Sequence, residues 1–220
     1  MVNTAACLLN VLNVFRMKIR GKHNQIISPK ARLKKVRIRI SGHNNKIIVG
    51  DGAKLSGVSV FIHGSNNTII IGDRCTLLKT ELHIEDCNNL IEIGCQTRIW
   101  GKTHLAAIEG TSIRIGKDCL FSSDVHFQTG DAHSVLNIDG CRVNESKDIT
   151  IGNHVWIGTR VMCLKGAYVA DHCIIGAGAI VTNRFEEPNC SLTGVPAKVK
   201  GKGVDWLLER IPLGEKAEAL

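Results

Sequence analysis

Between residues 151 and 181 an apolar residue recurs at every sixth position: Ile151, Ile157, Cys163, Val169, Ile175 and Val181. Small residues keep the same beat. Val155, Val161, Ala167, Cys173 and Ala179 stand four places after members of that series, and Gly152, Gly158, Ala170 and Gly176 directly follow four of them. Self-similarity at a short fixed period marks a solenoid. A period of six is not the spacing of three and four that an amphipathic helix requires. Nor do residues 151–186 contain the ten-residue amphipathic segments that a doubly wound α/β fold places between strands. The pattern predicts an all-β solenoid, a parallel β-helix in which three six-residue units close one 18-residue coil. Successive coils then stack at about 4.7–4.9 Å. The series residue fills the core, and the residue in the fifth place must be small because it also points inward, beside a corner.

Toward the N-terminus the coil lengthens. Val49-Gly50-Asp51, Ile71-Gly72-Asp73, Ile93-Gly94-Cys95 and Ile115-Gly116-Lys117 are spaced by 22 residues, as are the pairs Asn44-Asn45, Asn66-Asn67 and Asn88-Asn89. The four extra residues imply one longer corner per coil. Asn tolerates left-handed backbone angles, so the stacked pairs are placed at that corner as a structural ladder. The rhythm breaks once: after Ile115, Phe121 and Phe127, residues 128–148 fit no hexad. The 36 residues from Ile115 to Ile151 are two coil lengths. An irregular coil or one coil plus a projecting loop would each keep register, and the polar, turn-rich sequence favours the loop.

Composition changes this picture little. A solenoid buries its core along one axis and need not split into domains at 220 residues, and an aromatic content of 4% suits a narrow aliphatic core. The nine cysteines include no CxxC pair, and Cys75, Cys119 and Cys173 fall at the small inward place, as core filler. Without a signal peptide or an apolar run near the roughly 20 residues of a membrane span, the expected location is a reducing cytoplasm. The net charge of +8 belongs to the first quarter: residues 1–50 hold eleven Lys or Arg and no Asp or Glu. Residues 5–15 read as a short apolar helix. We expect residues 1–39 to be a helix and basic cap over the open end of the solenoid, with peripheral contact to an anionic membrane at the inner face as the other use of such a segment. Nucleic acid is not expected, since no aromatics interleave with the cations.

Chemistry is sought in the loop, because loops on rigid scaffolds carry function. It contains Asp131-Ala132-His133-Ser134. In an extended segment residues two apart share a side, so the Asp131 carboxylate would orient His133 as a general base. Ser134 lacks the G-x-S-x-G surround of a hydrolase nucleophile. No second His or Cys stands at ligand spacing from His133, and no metal is expected. His154 and His172, 18 apart, are read as a surface ladder and not as ligands. Residues 203–211 read as a short helix ended by Pro212, with Trp206 covering the last coil.

The runs Ile151-Gly152-Asn153-His154-Val155-Trp156-Ile157-Gly158, Leu164-Lys165-Gly166, Ile175 through Thr182 and Gly194-Val195-Pro196-Ala197-Lys198 resemble the hexapeptide-repeat acyltransferases, most of all the O-acetyltransferases of capsular and cell-surface polysaccharides. The resemblance implies a left-handed β-helix, taken to span residues 40–200, and a homotrimer with active sites between subunits; residues 201–220 are read as a C-terminal helix or tail. It implies acetyl-CoA as donor and a sugar or polysaccharide hydroxyl as acceptor. Carried over, His133 is the base that takes the hydroxyl proton in a direct transfer, Asp131 orients it, and Trp156 donates its indole N–H and walls the pantetheine arm. Arg160, Lys165, Lys198 and Lys200 would meet the phosphates. Ala177 and Gly178 would allow close approach of the arm, while Ser134, Thr182 and Asn183 would complete the donor contacts. An N-acetyltransferase acting on an amino-sugar nucleotide and a non-catalytic carbohydrate-binding β-helix stay open beside that reading.

Overall fold

The computed structural model describes residues 16–217. The chain winds into three parallel sheets, the faces of a triangular coil, holding 8, 8 and 9 strands. Face one begins with Arg16–Arg20 and Arg37–Ser41, face two with Gln25–Ile27 and Lys46–Val49, and face three with Arg32–Lys34 and Lys54–Ser56. The expected period is the observed register. Ile47 pairs with Ile69, Ile91 with Ile113, and Ile113 in turn with Ile149. The inward residues of all three faces form one buried core running from Val36 to Ala197, in which Cys75, Cys119 and Cys173 are fully buried. Burial pushes the Cys75 and Cys119 thiols up to about 12, so they serve as inert filler.

The long corner joins face one to face two and carries the asparagine ladder. Asn44, Asn66 and Asn88 adopt positive φ (55°, 60° and 63°). Their buried neighbours bond from coil to coil: the Asn67 amide N–H donates to Asn45 Oδ1 at 3.0 Å, and that of Asn89 to Asn67 Oδ1 at 2.9 Å. The series begins one coil earlier at Asn24 and ends at Thr111, whose amide donates to Asn89 Oδ1 at 3.0 Å. The Thr111 hydroxyl then donates to Thr129 Oγ1 at 2.6 Å, where the loop leaves the solenoid. Ile115 and Ile151 are neighbours in register, so the long gap is one coil plus a projecting loop.

Three expectations are corrected. Regular coils are already present at Arg16, the first described residue, and do not wait until residue 40, because a coil-to-coil pairing joins Arg16 to Arg37. No helix forms over 203–211; backbone and side chains there bond to the solenoid instead. Trp206 is buried against His154, at a corner two coils before the last, and does not cover the final coil. The expected helix at 5–15 lies outside the described residues. No described helix is long and apolar enough to cross a membrane.

Candidate active site

The loop is exposed from Asp131 to Val143 and returns through buried Asn144. Asn144 organises it. Its amide group donates to Asp131 Oδ2 at 2.9 Å and to the His133 carbonyl at 2.7 Å, and its Oδ1 accepts from the Val135 amide at 2.8 Å and from Arg142 Nε at 3.0 Å. Arg142 continues into a two-pronged pair with Glu109, on the preceding coil, at 2.5 and 2.9 Å. Ser146 donates to the same carboxylate at 2.6 Å. These bonds to Arg142 and Ser146 hold the Glu109 carboxyl below its ordinary value.

Asp131 does not orient His133. Ala132 sits at φ 58°, and the His133 amide closes a tight turn onto the Asp131 carbonyl at 2.7 Å. The segment is therefore not extended, and the Asp131 carboxylate instead binds Lys165 and Asn144. The Lys165 ammonium is the main reason its carboxyl lies below the ordinary range. Lys165, expected to meet phosphates, is thereby paired with the loop carboxylate. The backbone on both sides of His133 is pinned, yet its exposed ring has no hydrogen-bond partner among the described residues.

The other expected residues divide between two corners. Ser134, Lys165, Thr182 and Asn183 join Asp131 and His133 where face one meets face two, the last three following the face-one strands Met162–Leu164 and Ile180–Val181. Trp156 points outward on face three, 39% exposed. Arg160, Ala177 and Gly178 lie where face three meets face one, with the Gly178 amide donating to the Thr159 carbonyl at 2.8 Å. Lys198 and Lys200 stand on Lys198–Lys202, which pairs antiparallel at the end of face three. Arg160, Lys198 and Lys200 make no ion pair among the described residues. A Cβ on Gly178, at φ 72°, would meet nothing within 4 Å, so its backbone is open to a ligand. The base and the free cations are thus separated by the width of face one, roughly 15 Å for such strands.

Sequence reasoning passed over Asn144, Arg142, Ser146 and Glu109. None keeps a period, and the Glu109–Arg142 pair spans 33 residues; the polar composition of residues 128–148 was the only signal.

No protein-family profile matches the chain. The polysialic acid O-acetyltransferase of Neisseria meningitidis is 37% identical over 78 residues, 33% of this chain and 36% of that protein. The galactoside O-acetyltransferase of Escherichia coli K12 is 37% identical over 98 residues, 44% of this chain and 47% of that protein. The chain spans between about a third and a half of the length of these curated relatives. The crystal structure of the polySia specific acetyltransferase NeuO superposes with a TM-score of 0.82 at 27% identity, covering 92% of each chain. Hexad, coil and likeness together give the chain a left-handed β-helix fold. In sequence and fold it is similar to hexapeptide-repeat acetyltransferases, among them the O-acetyltransferases of polysialic acid.

Proposed function

We propose that the protein is an acetyl-CoA-dependent O-acetyltransferase that acetylates a sugar hydroxyl of a surface polysaccharide or its precursor. The observation that carries the reading is the His133 ring, free of partners on a backbone fixed from both sides. In this scheme His133 accepts the hydroxyl proton as the sugar oxygen attacks the thioester carbonyl, and returns it to the departing sulfur, so that acetyl ester and CoA thiol balance the reaction. Asp131 acts on the loop through Lys165 and Asn144, not on the imidazole. Arg160, Lys198 and Lys200 meet the phosphates as charge-assisted partners. Gly178 and Ala177 let the pantetheine arm approach strand backbone, and Trp156 offers its indole N–H to the developing oxyanion.

These groups occupy different corners, so one chain supplies only half a site. A homotrimer, in which the loop of one copy lies over the face-three flank of the next, brings the halves together. The loop's exposed aliphatics support such a contact: Val135, Leu136, Val143 and a fully exposed Ile138 lie beside His133. Exposed apolar groups clustered on a projecting element mark a docking surface. On the acceptor side, Arg16, Lys18, Arg20, Arg37 and Arg39 point outward on face one and pair with no carboxylate among the described residues. That face fits a carboxylate-bearing polymer, and polysialic acid, the substrate named for two relatives, is the first acceptor to assay.

The test is CoA release with polysialic acid and neutral oligosaccharides, comparing the native chain with His133→Ala. A general base is worth about 10²–10⁴ in rate, and a loss of that size at unchanged melting temperature is expected. Equal turnover by the two proteins would remove His133 from the reaction.

A further inference from the structure

We propose that His154, His172 and Asp205 form a binding site for a divalent first-row metal ion of the zinc type, independent of the acetyl-transfer reading. The site lies where face two turns into face three, at the corner against which the C-terminal segment folds. His154 and His172 occupy equivalent places on successive coils, their rings 5.1 Å apart. Asp205 reaches both: its Oδ1 is 3.5 Å from His154 Nε2 and its Oδ2 is 3.0 Å from His172 Nδ1. The three donor atoms all lie within 4.8 Å of one another. Zinc bonds of about 2.0–2.2 Å in tetrahedral geometry put ligand atoms roughly 3.3–3.5 Å apart, so seating an ion requires the widest pair to close by about an ångström. The Trp206 carbonyl, 3.0 Å from His154 Nε2, supplies another oxygen at the same point.

The surroundings of His154 resemble those of a metal-binding imidazole. Its Nδ1 faces Asp118 Oδ2 at 2.8 Å, while the other Asp118 oxygen takes Arg98 at 3.3 Å. A carboxylate behind an imidazole fixes the tautomer, leaving the opposite nitrogen as a lone pair, as in carboxylate–histidine–zinc triads. That nitrogen, Nε2, faces only oxygen acceptors, the Trp206 carbonyl and Asp205. With Asp118 behind it, His154 turns Nε2 toward Asp205 and the Trp206 carbonyl, the same oxygens that an ion shared with His172 would meet. His172 is 46% exposed, so the site is open to solvent and an ion can enter.

An ion here would tie the segment after residue 202, which has no regular structure, to coils 33 and 51 residues earlier in the chain. It would also fix Trp206, which stacks on His154 at 4.3 Å and lies 6.5 Å from Trp156. The flank proposed to hold the donor would then be ordered by the metal.

The test uses the full chain without an affinity tag, stripped by chelator and titrated with Co²⁺. The expected result is one equivalent per chain, ligand-field bands of a nitrogen–oxygen site, bleaching by Zn²⁺, and a raised melting temperature. His172→Ala and Asp205→Asn should abolish stoichiometric binding, with circular dichroism confirming the solenoid. Asp118→Asn should weaken it about 10–100-fold. X-ray absorption on the zinc-loaded native chain should show two imidazole ligands, a reading that needs no variant. Absence of bands with an unmoved melting temperature would overturn the site. So would thiolate-type bands, or binding that persists in His172→Ala, which would place the ion elsewhere, as on the exposed Cys87 and Cys141.

Discussion

Ala132 decides what Asp131 can do. Its positive φ turns the chain between Asp131 and His133, so the carboxylate serves the loop's anchorage and the imidazole stays free. Asp131 and Glu109 both have lowered pKa values, the first chiefly through Lys165 and the second through Arg142. A depressed carboxyl contributes stability that is complete above its unfolded value and lost as pH falls through the folded one. The ordinary values are 3.8 and 4.5. Hydrogen exchange at the Val135 and Val143 amides, both bonded within the loop, should therefore stay slow to below these values and accelerate only in stronger acid, while core amides stay protected. Lys165→Ala should move that onset upward. Loop protection that is flat across this range would show that the two ion pairs do not hold the loop.

At the scale of the element, the ladder is what a substitution should break. Asn67 accepts from the amide and side chain of Asn89 and donates to the Asp86 carbonyl. Asn67→Ala leaves the buried Asn89 amide unpaired, a cost of about 1–3 kcal/mol, read as a lower urea midpoint at unchanged slope. Gly64→Ala should cost at least as much, since φ is 138° and a Cβ would lie 1.7 Å from the Asp86 carbonyl oxygen; a variant as stable as the native chain would refute the corner geometry. These elements were legible because a coil repeats its contacts: Ile71 and Ile93 announce a stacked pair simply by standing 22 apart. The loop was legible only as an interruption. Its wiring was not, because Asn144, Lys165 and Glu109 meet their partners across 13, 34 and 33 residues with no period to betray them. The segment 203–211 has the composition of a helix, but Asp205 and Trp206 bond to His172 and His154, and tertiary contacts outweigh a weak local preference.

For the whole molecule the decisive fact is the division of the expected site between two corners of one rigid triangle. His133 leaves where face one meets face two, and Trp156, Arg160 and Gly178 belong to the far flank. A solenoid whose coils contact only their neighbours does not bend to close such a gap. Either a second copy completes the site or the carried-over roles are wrong. The basic face at the N-terminal end and the metal corner at the opposite end bear on acceptor and order respectively, and neither substitutes for that closure.

Subunit complementation tests this most directly. His133→Ala chains and Trp156→Ala, Arg160→Ala chains, each inactive alone, are unfolded together and refolded as an equal mixture, and CoA release is measured with an acceptor that the native protein acetylates. If each site takes its histidine from one copy of a trimer and its donor flank from the next, random assembly restores on the order of a quarter of native activity. Mixed oligomers as silent as their parents would contradict the shared site and, with it, the account given of this fold.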